Sequence, residues 1–346
     1  MKTRALIFAV TLTAMFFIPM AALPTGALPE KAEEKKRFSQ SESSLEHSVQ
    51  SSEENQNPSA SEDTLAEQSF RIYDLSKKEI YTVSAADFVR GAIAAEMGAD
   101  FEYEALVAQG RAAFSCALYQ KNAHSAADYD FSADPENRYM FLWEEQAREI
   151  YGDSFDEKWE KITLAAEEAA EVVITYNGEP AMTVYHAASA GTTQSAADLW
   201  GGEVPYLTEV DSHWDTEYDG FSSTAARPKD EVMESLNSFG AKLSGGAPEQ
   251  WFEGGEYTAG GYLKRIEIGA ATFSGTKLRA LFGLRSSAFT VKYENGEFVF
   301  TVHGYGHGVG MSQIGANAMA KEGFSAEEIL AHYYPGTELS PAEKAQ

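Results

Sequence analysis

AFTVKYENGEFVFTVHG, residues 288–304, alternates apolar and polar side chains on both sides of Asn295-Gly296. Alternation with period two marks a half-buried strand, and Asn-Gly is the strongest short signal for a two-residue hairpin turn. The stretch therefore reads as two antiparallel strands. VVITYNGEPAMTVYH, residues 172–186, repeats the pattern around Asn177-Gly178 and predicts a second hairpin. FRIYDL (70–75), EIYTVSA (79–85) and YLKRIEIG (262–269) read as further short strands. Helical patterns lie between them. Ser84 and Asp87 make a capping-box-like start for a helix from Ala85 to Met97, which Gly98 ends. In residues 101–122, Leu106, Val107, Gly110, Ala113, Phe114, Ala117 and Leu118 form one stripe at helical spacing. Residues 140–152, 155–169, 277–283, 312–323 and 326–334 read as helices too. Helices mixed with antiparallel hairpins, without a strand-helix-strand rhythm, predict an α+β fold. No repeat of fixed period occurs.

The 346-residue chain is 44% hydrophobic and 12% aromatic, the composition of a globular protein with a real core. Its net charge of −26 argues against a nucleic-acid partner, which calls for a basic patch. One cysteine, Cys116, excludes an intramolecular disulfide and any multi-thiolate metal site. MKTR followed by the uncharged ALIFAVTLTAMFFIPMAA, residues 5–22, has the form of an export signal, or of a retained anchor just long enough to span a bilayer. Residues 1–28 are therefore expected to hold the chain at the cell membrane with the remainder extracytoplasmic, or to release it if cleaved. Residues 29–69 are rich in Ser, Glu, Gln and Asn and poor in aromatic residues, the composition of a disordered linker. The folded part is expected over 70–340.

Three stretches carry chemistry. In GAIAAEM, residues 91–97, Glu96 lies three, four and seven residues beyond Ile93, Ala92 and Val89, on the apolar face of its helix. A carboxyl there loses hydration, its pKa rises, and it becomes a general acid usable near neutral pH. The alternative is a helix-end glutamate that reaches solvent past Gly98. HGYGHGVGMSQIGANA, residues 303–318, has glycine at 304, 306, 308 and 310, too many for a regular element. It suggests a backbone folded tightly around something, presenting His303, His307, Ser312 and Gln313. Ser312 also reads as a helix N-cap. The two histidines raise a metal site, but glycine between them spoils helical geometry and no acid lies in the motif. In residues 185–207, Tyr185, His186, Ser189, Thr192, Thr193 and Trp200 gather hydroxyls, an imidazole and aromatics. Such a mix suits a sugar, and equally a loop of small residues before a packed tryptophan.

Taken in chain order, AAEM (94–97), EALVAQ (104–109), YHAASAG (185–191), Trp200, PYL (205–207), GYGHGVGMSQIGA (304–316) and YYPGT (333–337) resemble the motifs of the stage II sporulation protein D family, relatives of the LytB amidase enhancers. The resemblance spans about 70–340. It implies a groove-bearing extracytoplasmic catalytic domain, a lytic transglycosylase of peptidoglycan glycan strands stripped of stem peptides, active in engulfment during endospore formation. It puts the catalytic acid on Glu96 and substrate binding on Tyr185, His186, Ser189, His307, Ser312 and Gln313. It implies no cofactor; between 101–122 and the next region only His124 could bind metal, so no metal is expected. The LytB branch implies the alternative of a non-catalytic wall-binding enhancer with an amidase as partner. Three positions depart from the family pattern: Gly98 replaces a proline, Phe114 an arginine, and Ala190 a glycine. Arg111, one turn before Phe114, is the nearest guanidinium in sequence.

Overall fold

The structure, a computed structural model, describes residues 68–123 and 127–344. The expected signal segment, 1–28, and all but the last two residues of the expected linker, 29–69, lie outside the described residues. Among the described residues no helix is long and apolar enough to cross a membrane.

The chain opens with β1 (Ser69–Asp74) and β2 (Glu79–Ser84), an antiparallel hairpin, so the folded part already includes Ser69. The helices α1 (Ala85–Glu96) and α2 (Tyr103–Ala123) come next, then β3 (Phe131–Ala133), which joins β1 in parallel. After α3 (Glu144–Tyr151) and α4 (Phe155–Ala170) run β4 (Val172–Tyr176), β5 (Glu179–Pro180), β6 (Tyr185–His186) and α5 (Ala196–Trp200). A third section holds β7 (Ser222–Pro228), α6 (Lys229–Ser238), β8 (Glu256–Tyr257), β9 (Leu263–Ile268), β10 (Ala271–Ser274), α7 (Gly275–Phe282), β11 (Phe289–Glu294) and β12 (Glu297–His303). The chain returns through β13 (Met311–Ser312), α8 (Gln313–Lys321), α9 (Ala326–Tyr333) and β14 (Glu338–Pro341). Small sheets, mostly antiparallel, pack with helices, and the α+β expectation holds.

The hairpin at 288–304 forms as read: β11 and β12 pair antiparallel, with Asn295 and Gly296 both at positive φ. That is the backbone of a type I′ turn. The hairpin at 172–186 is cut short. Its Asn177-Gly178 turn forms and the Ala181 N–H still donates to Ile174 O at 2.9 Å, but the returning strand is only Glu179–Pro180, because the Ile174 N–H is taken by Ser115 Oγ of α2 at 2.8 Å. The chain then turns away, and Tyr185-His186 pairs in parallel with Met311-Ser312. The helix read over 140–152 begins only at Glu144. Met140 sits at a φ of 64°, and the Leu142 N–H donates to Gly91 O at 3.1 Å, so this segment is loop bound to α1.

The hydrophobic core falls into two clusters. In the first, α2 is buried from Ala105 to Leu118 and packs on α1, α4, α8 and α9. Helices that close together need small residues where they meet, as at Gly110 of α2 against Ala169 and Ile93, and the loop at 140–143 needs one on α1. A Cβ on Gly91 would lie 2.3 Å from the Phe141 ring and 2.8 Å from Leu142 O. Gly91→Ala is therefore expected to destabilise the fold by about 1–3 kcal/mol, read from denaturant unfolding. The second cluster is built by residues of 232–302, among them Leu236, Ile266, Phe282, Phe298 and Phe300. Its segment leaves the first cluster after 215 and returns at 304, so two stretches far apart in sequence meet where it departs.

Candidate active site

Glu96 is the last residue of α1. The N–H groups of Met97 and Gly98 both donate to Ile93 O, and Gly98 at a φ of 78° turns the chain away. Every residue from Gly91 to Ala99 is buried, so the escape to solvent past Gly98 is not taken: Glu96 is 1% exposed. Burial pushes its pKa up to about 8, against the opposing pull of the Gln313 side chain, the Met140 backbone and the Arg138 charge. The carbonyl end of α1 also disfavours an anion there. Oε1 of Glu96 has no hydrogen-bond partner. A buried, protonated carboxyl with a free oxygen is the form a general acid takes before reaction.

The glycine-rich loop explains its own composition. Gly304, Gly306, Gly308 and Gly310 all have positive φ. Their backbone threads along 184–194: Tyr305 and Ala188 exchange two hydrogen bonds, Gln194 N–H donates to Gly308 O, and Met311 N–H to Val184 O. A Cβ on Gly306 would lie 2.7 Å from His186 Cβ, and one on Gly310 would lie 2.0 Å from Val184 O. What the loop folds around is the YHAASAG stretch, and the outcome is a pocket. Glu96, Tyr185, His186, Ala187, Arg279, Gly306, His307 and Gln313 line it. A second pocket adjoins it through Arg279 and His307 and adds Leu199, Trp200, Thr276 and Ser287.

The two histidines of the pocket have opposite hydrogen-bonding sense. The Nδ1–H of His186 donates to Val309 O at 3.1 Å, which leaves Nε2 as an unpaired acceptor. His307 Nδ1 instead accepts the Val309 N–H at 3.0 Å, which puts its proton on Nε2. Their ring centroids are 5.6 Å apart, and Trp200 lies 6.0 Å beyond His307. Burial and the nearby Arg279 charge hold His186 at about 4, and His307 falls well below its usual value for the same reasons and by repulsion from His186. Both rings are neutral near pH 7 and serve as polar wall groups.

Five of the seven residues that the sequence pointed to meet in this pocket: Glu96, Tyr185, His186, His307 and Gln313. Ser189 and Ser312 do not line it. Both are fully buried and turn to Asp215, which accepts the Ser189 N–H (2.9 Å) and the hydroxyls of Ser212 (2.9 Å) and Ser312 (2.7 Å). Ser312 is also the N-cap of α8, accepting the Gly315 N–H, and Ser212 bonds to Tyr333 OH. These serines brace the site from behind. His303 is outside as well, bonded to Ser222 and stacked on Phe221.

Sequence reasoning missed four residues that act on the site. Arg138 and Met140 reach Glu96 from the loop after β3, where Asp134 and Tyr139 bridge to form a tight turn. Gln109, buried in α2, accepts the Gln313 amide at 3.4 Å. Arg279 comes from the second cluster. Only Gln109 left a signal, as a polar residue within an apolar run. Arg111 is not the replacement guanidinium: it is buried in ion pairs with Glu168 and Glu327. Phe114 packs edge-on against Phe70 in the core. No group of three or more metal-ligating side chains occurs among the described residues.

The family model for stage II sporulation protein matches residues 73–176. Stage II sporulation protein D of Bacillus subtilis (strain 168) is 32% identical over 80% of this chain and 80% of its own length. The chain belongs to the stage II sporulation protein D family. Its counterpart in Bacillus amyloliquefaciens is 31% identical, with 82% of each chain covered. A more distant relative, the amidase enhancer of Bacillus subtilis (strain 168), is 26% identical over 73% of this chain and 40% of its own length. The family's Ala-Glu-Met and glycine-rich motifs thus sit at one pocket in this member, one supplying the carboxyl and the other the wall.

Proposed function

We propose that this sporulation-family protein is a lytic transglycosylase that cleaves the bond between N-acetylmuramic acid and N-acetylglucosamine in peptidoglycan glycan strands stripped of peptide, leaving a 1,6-anhydro end. The observation that carries the reading is the buried, protonated Glu96 on the wall of a pocket that holds no second carboxylate among its lining residues. Asp215, the buried carboxyl that holds Ser189 and Ser312, is not among the lining residues and is taken up by its hydrogen bonds to Ser189, Ser212 and Ser312. Hydrolytic glycosidases generally need two carboxyls, one as acid and one as base or nucleophile. A lytic transglycosylase manages with one. Protonated Glu96 gives its proton to the glycosidic oxygen as the C1–O bond breaks. The resulting carboxylate takes the proton of the C6 hydroxyl of the same muramic sugar as that oxygen attacks C1. The attack is intramolecular and gains from proximity, no water enters, and Glu96 ends protonated as it began. His186 Nε2 supplies an acceptor for a hydroxyl or acetamido N–H, the Gln313 amide holds Glu96, and Trp200 offers a flat face. The reading implies an extracytoplasmic protein, with residues 1–28 as anchor or export signal, acting on the wall during engulfment.

The test is incubation of the protein with peptide-free glycan strands and mass spectrometry of the products. Anhydromuramic ends are expected; reducing ends, or intact strands, would refute the reading. A second reading, a wall-binding enhancer of an amidase, draws on the similarity to the amidase enhancer; it expects strand binding and amidase stimulation that survive Glu96→Gln. Gln313 offers a finer check. Its hydrogen bond favours the Glu96 carboxylate, so Gln313→Leu should raise the Glu96 pKa further. The alkaline limb of the rate profile should move to higher pH by up to about one unit while the maximal rate falls.

A further inference from the structure

Arg279, on α7, is the one permanent cation among the residues that line the two pockets, and it lines both. Among the described residues no carboxylate pairs with it. Its Nε donates to Leu284 O at 3.4 Å, and the groups bearing on its charge are the phenols of Tyr305 and Tyr262, which burial keeps neutral. Several other half-buried or buried cations here have acidic partners, Arg111 with Glu168 and Glu327, Arg71 with Asp130 and Lys158 with Asp100, while Lys161 is held by the Ala99 and Phe101 carbonyls. The chain has 53 acidic residues for 27 basic ones, so acids are not scarce. The charge that bears on Glu96 is that of Arg138. A half-buried guanidinium left without a carboxylate in a groove is a receptor for an anion brought by the ligand, and its planar fork matches a carboxylate. The hydroxyls of Thr276 and Ser287 and the Trp200 ring share that pocket, a setting for a sugar that carries an acid rather than for free phosphate.

We propose that Arg279 receives the lactyl carboxylate of a muramic residue and thereby selects glycan in which that carboxylate is free over glycan in which it is tied up as an amide. The inference rests on the glycan reading above. In such a strand the lactyl group bears a carboxylate only when no peptide is attached; amide formation removes both the charge and one acceptor oxygen. Arg279 is thus a specificity residue, supplied by the second hydrophobic cluster to a pocket whose acid comes from the first.

The experiment measures binding in the Glu96→Gln background, where strands are not consumed. Peptide-free glycan oligomers are titrated calorimetrically against the same oligomers with each lactyl carboxylate converted to its N-methylamide. The free-acid strands are expected to bind about tenfold tighter or more, the worth of a charge-assisted hydrogen-bonded pair. In the Glu96→Gln/Arg279→Gln protein the ratio should fall to near one. With Arg279→Lys, which keeps the charge but not the fork, part of the ratio should remain. A ratio that persists in the Arg279→Gln protein overturns the proposal, as does equal binding of the two strands without that change, or no binding of either. Equal weakening toward both strands with the ratio intact assigns Arg279 a structural role and also overturns it. If the wild-type protein cleaves neither strand yet the ratio follows Arg279, the transglycosylase reading fails and the Arg279 assignment stands.

Discussion

Glu96→Gln is expected to lower glycan cleavage by about a thousandfold or more while leaving strand binding within a few-fold, because in the proposed reaction one carboxyl serves as both acid and base. Glutamine keeps the shape of the side chain and neither gives nor takes a proton. The wild-type rate should hold from neutral pH up to about 8 and fall above it as Glu96 loses the proton it donates. The same ionisation acts on stability. Glu96 has its pKa raised in the folded state, so between about 4.5 and about 8 the folded protein holds a proton that the unfolded chain has released. Its contribution is full below the unfolded value and is lost as pH rises towards the folded one, at about 1.4 kcal/mol per pH unit. The buried histidines act with the opposite sign. His186 is held at about 4, so its contribution is present above its unfolded value and is lost as pH falls from about 6.5 towards 4. Both histidines are common to wild type and variant, so their effect cancels in the difference. The stability of Glu96→Gln relative to wild type should therefore climb steadily between pH 5 and 8 in urea unfolding. A flat difference would show that Glu96 is an ordinary solvated acid, and the catalytic reading would go with it.

Asp215→Ala carries the largest structural effect. It removes the acceptor for the Ser189 N–H and for the hydroxyls of Ser212 and Ser312, in a place without solvent exposure. Burial raises the Asp215 pKa, and the serines pull it back towards the charged form. Several buried donors lose their partner at once, so a loss of about 3 kcal/mol or more in unfolding free energy is expected. Ser189 follows the His186 strand, Ser312 precedes Gln313, and Tyr333 joins through Ser212. Loosening that hub should also disturb Gln313 and His186, so activity should drop in the protein that remains folded. Asp215→Asn tests the point with little change of volume: its amide can accept on one side only, and an intermediate loss is expected. Unchanged unfolding in both variants would refute the bracing role.

Period and turn chemistry made much of the fold legible. The 288–304 hairpin formed because Asn-Gly fixes its own turn backbone, and α1 began at Ser84 because the cap is a local interaction. The 172–186 hairpin misled for a reason outside its own segment, the Ser115 hydroxyl that takes the Ile174 N–H. Residues 140–143 misled for a distant one, since the bond from Leu142 to Gly91 has no trace in either segment. At the site, Glu96 could be found because a carboxylate on an apolar helix face contradicts its surroundings. Ser189 and Ser312 belong to the same motifs as the pocket residues, and a motif does not record which way a side chain turns.

The sequence by itself determined the α+β class, the apolar face that holds Glu96, and the two motif stretches that would flank it. Those features depend on neighbours within a few residues, where spacing sets direction. Only the tertiary structure decided that Glu96 is buried and protonated, that Asp215 takes the serines out of the pocket, and that Arg138 and Arg279 bring the charge. Burial and field arise from groups far apart in the chain, and no local pattern encodes how they meet.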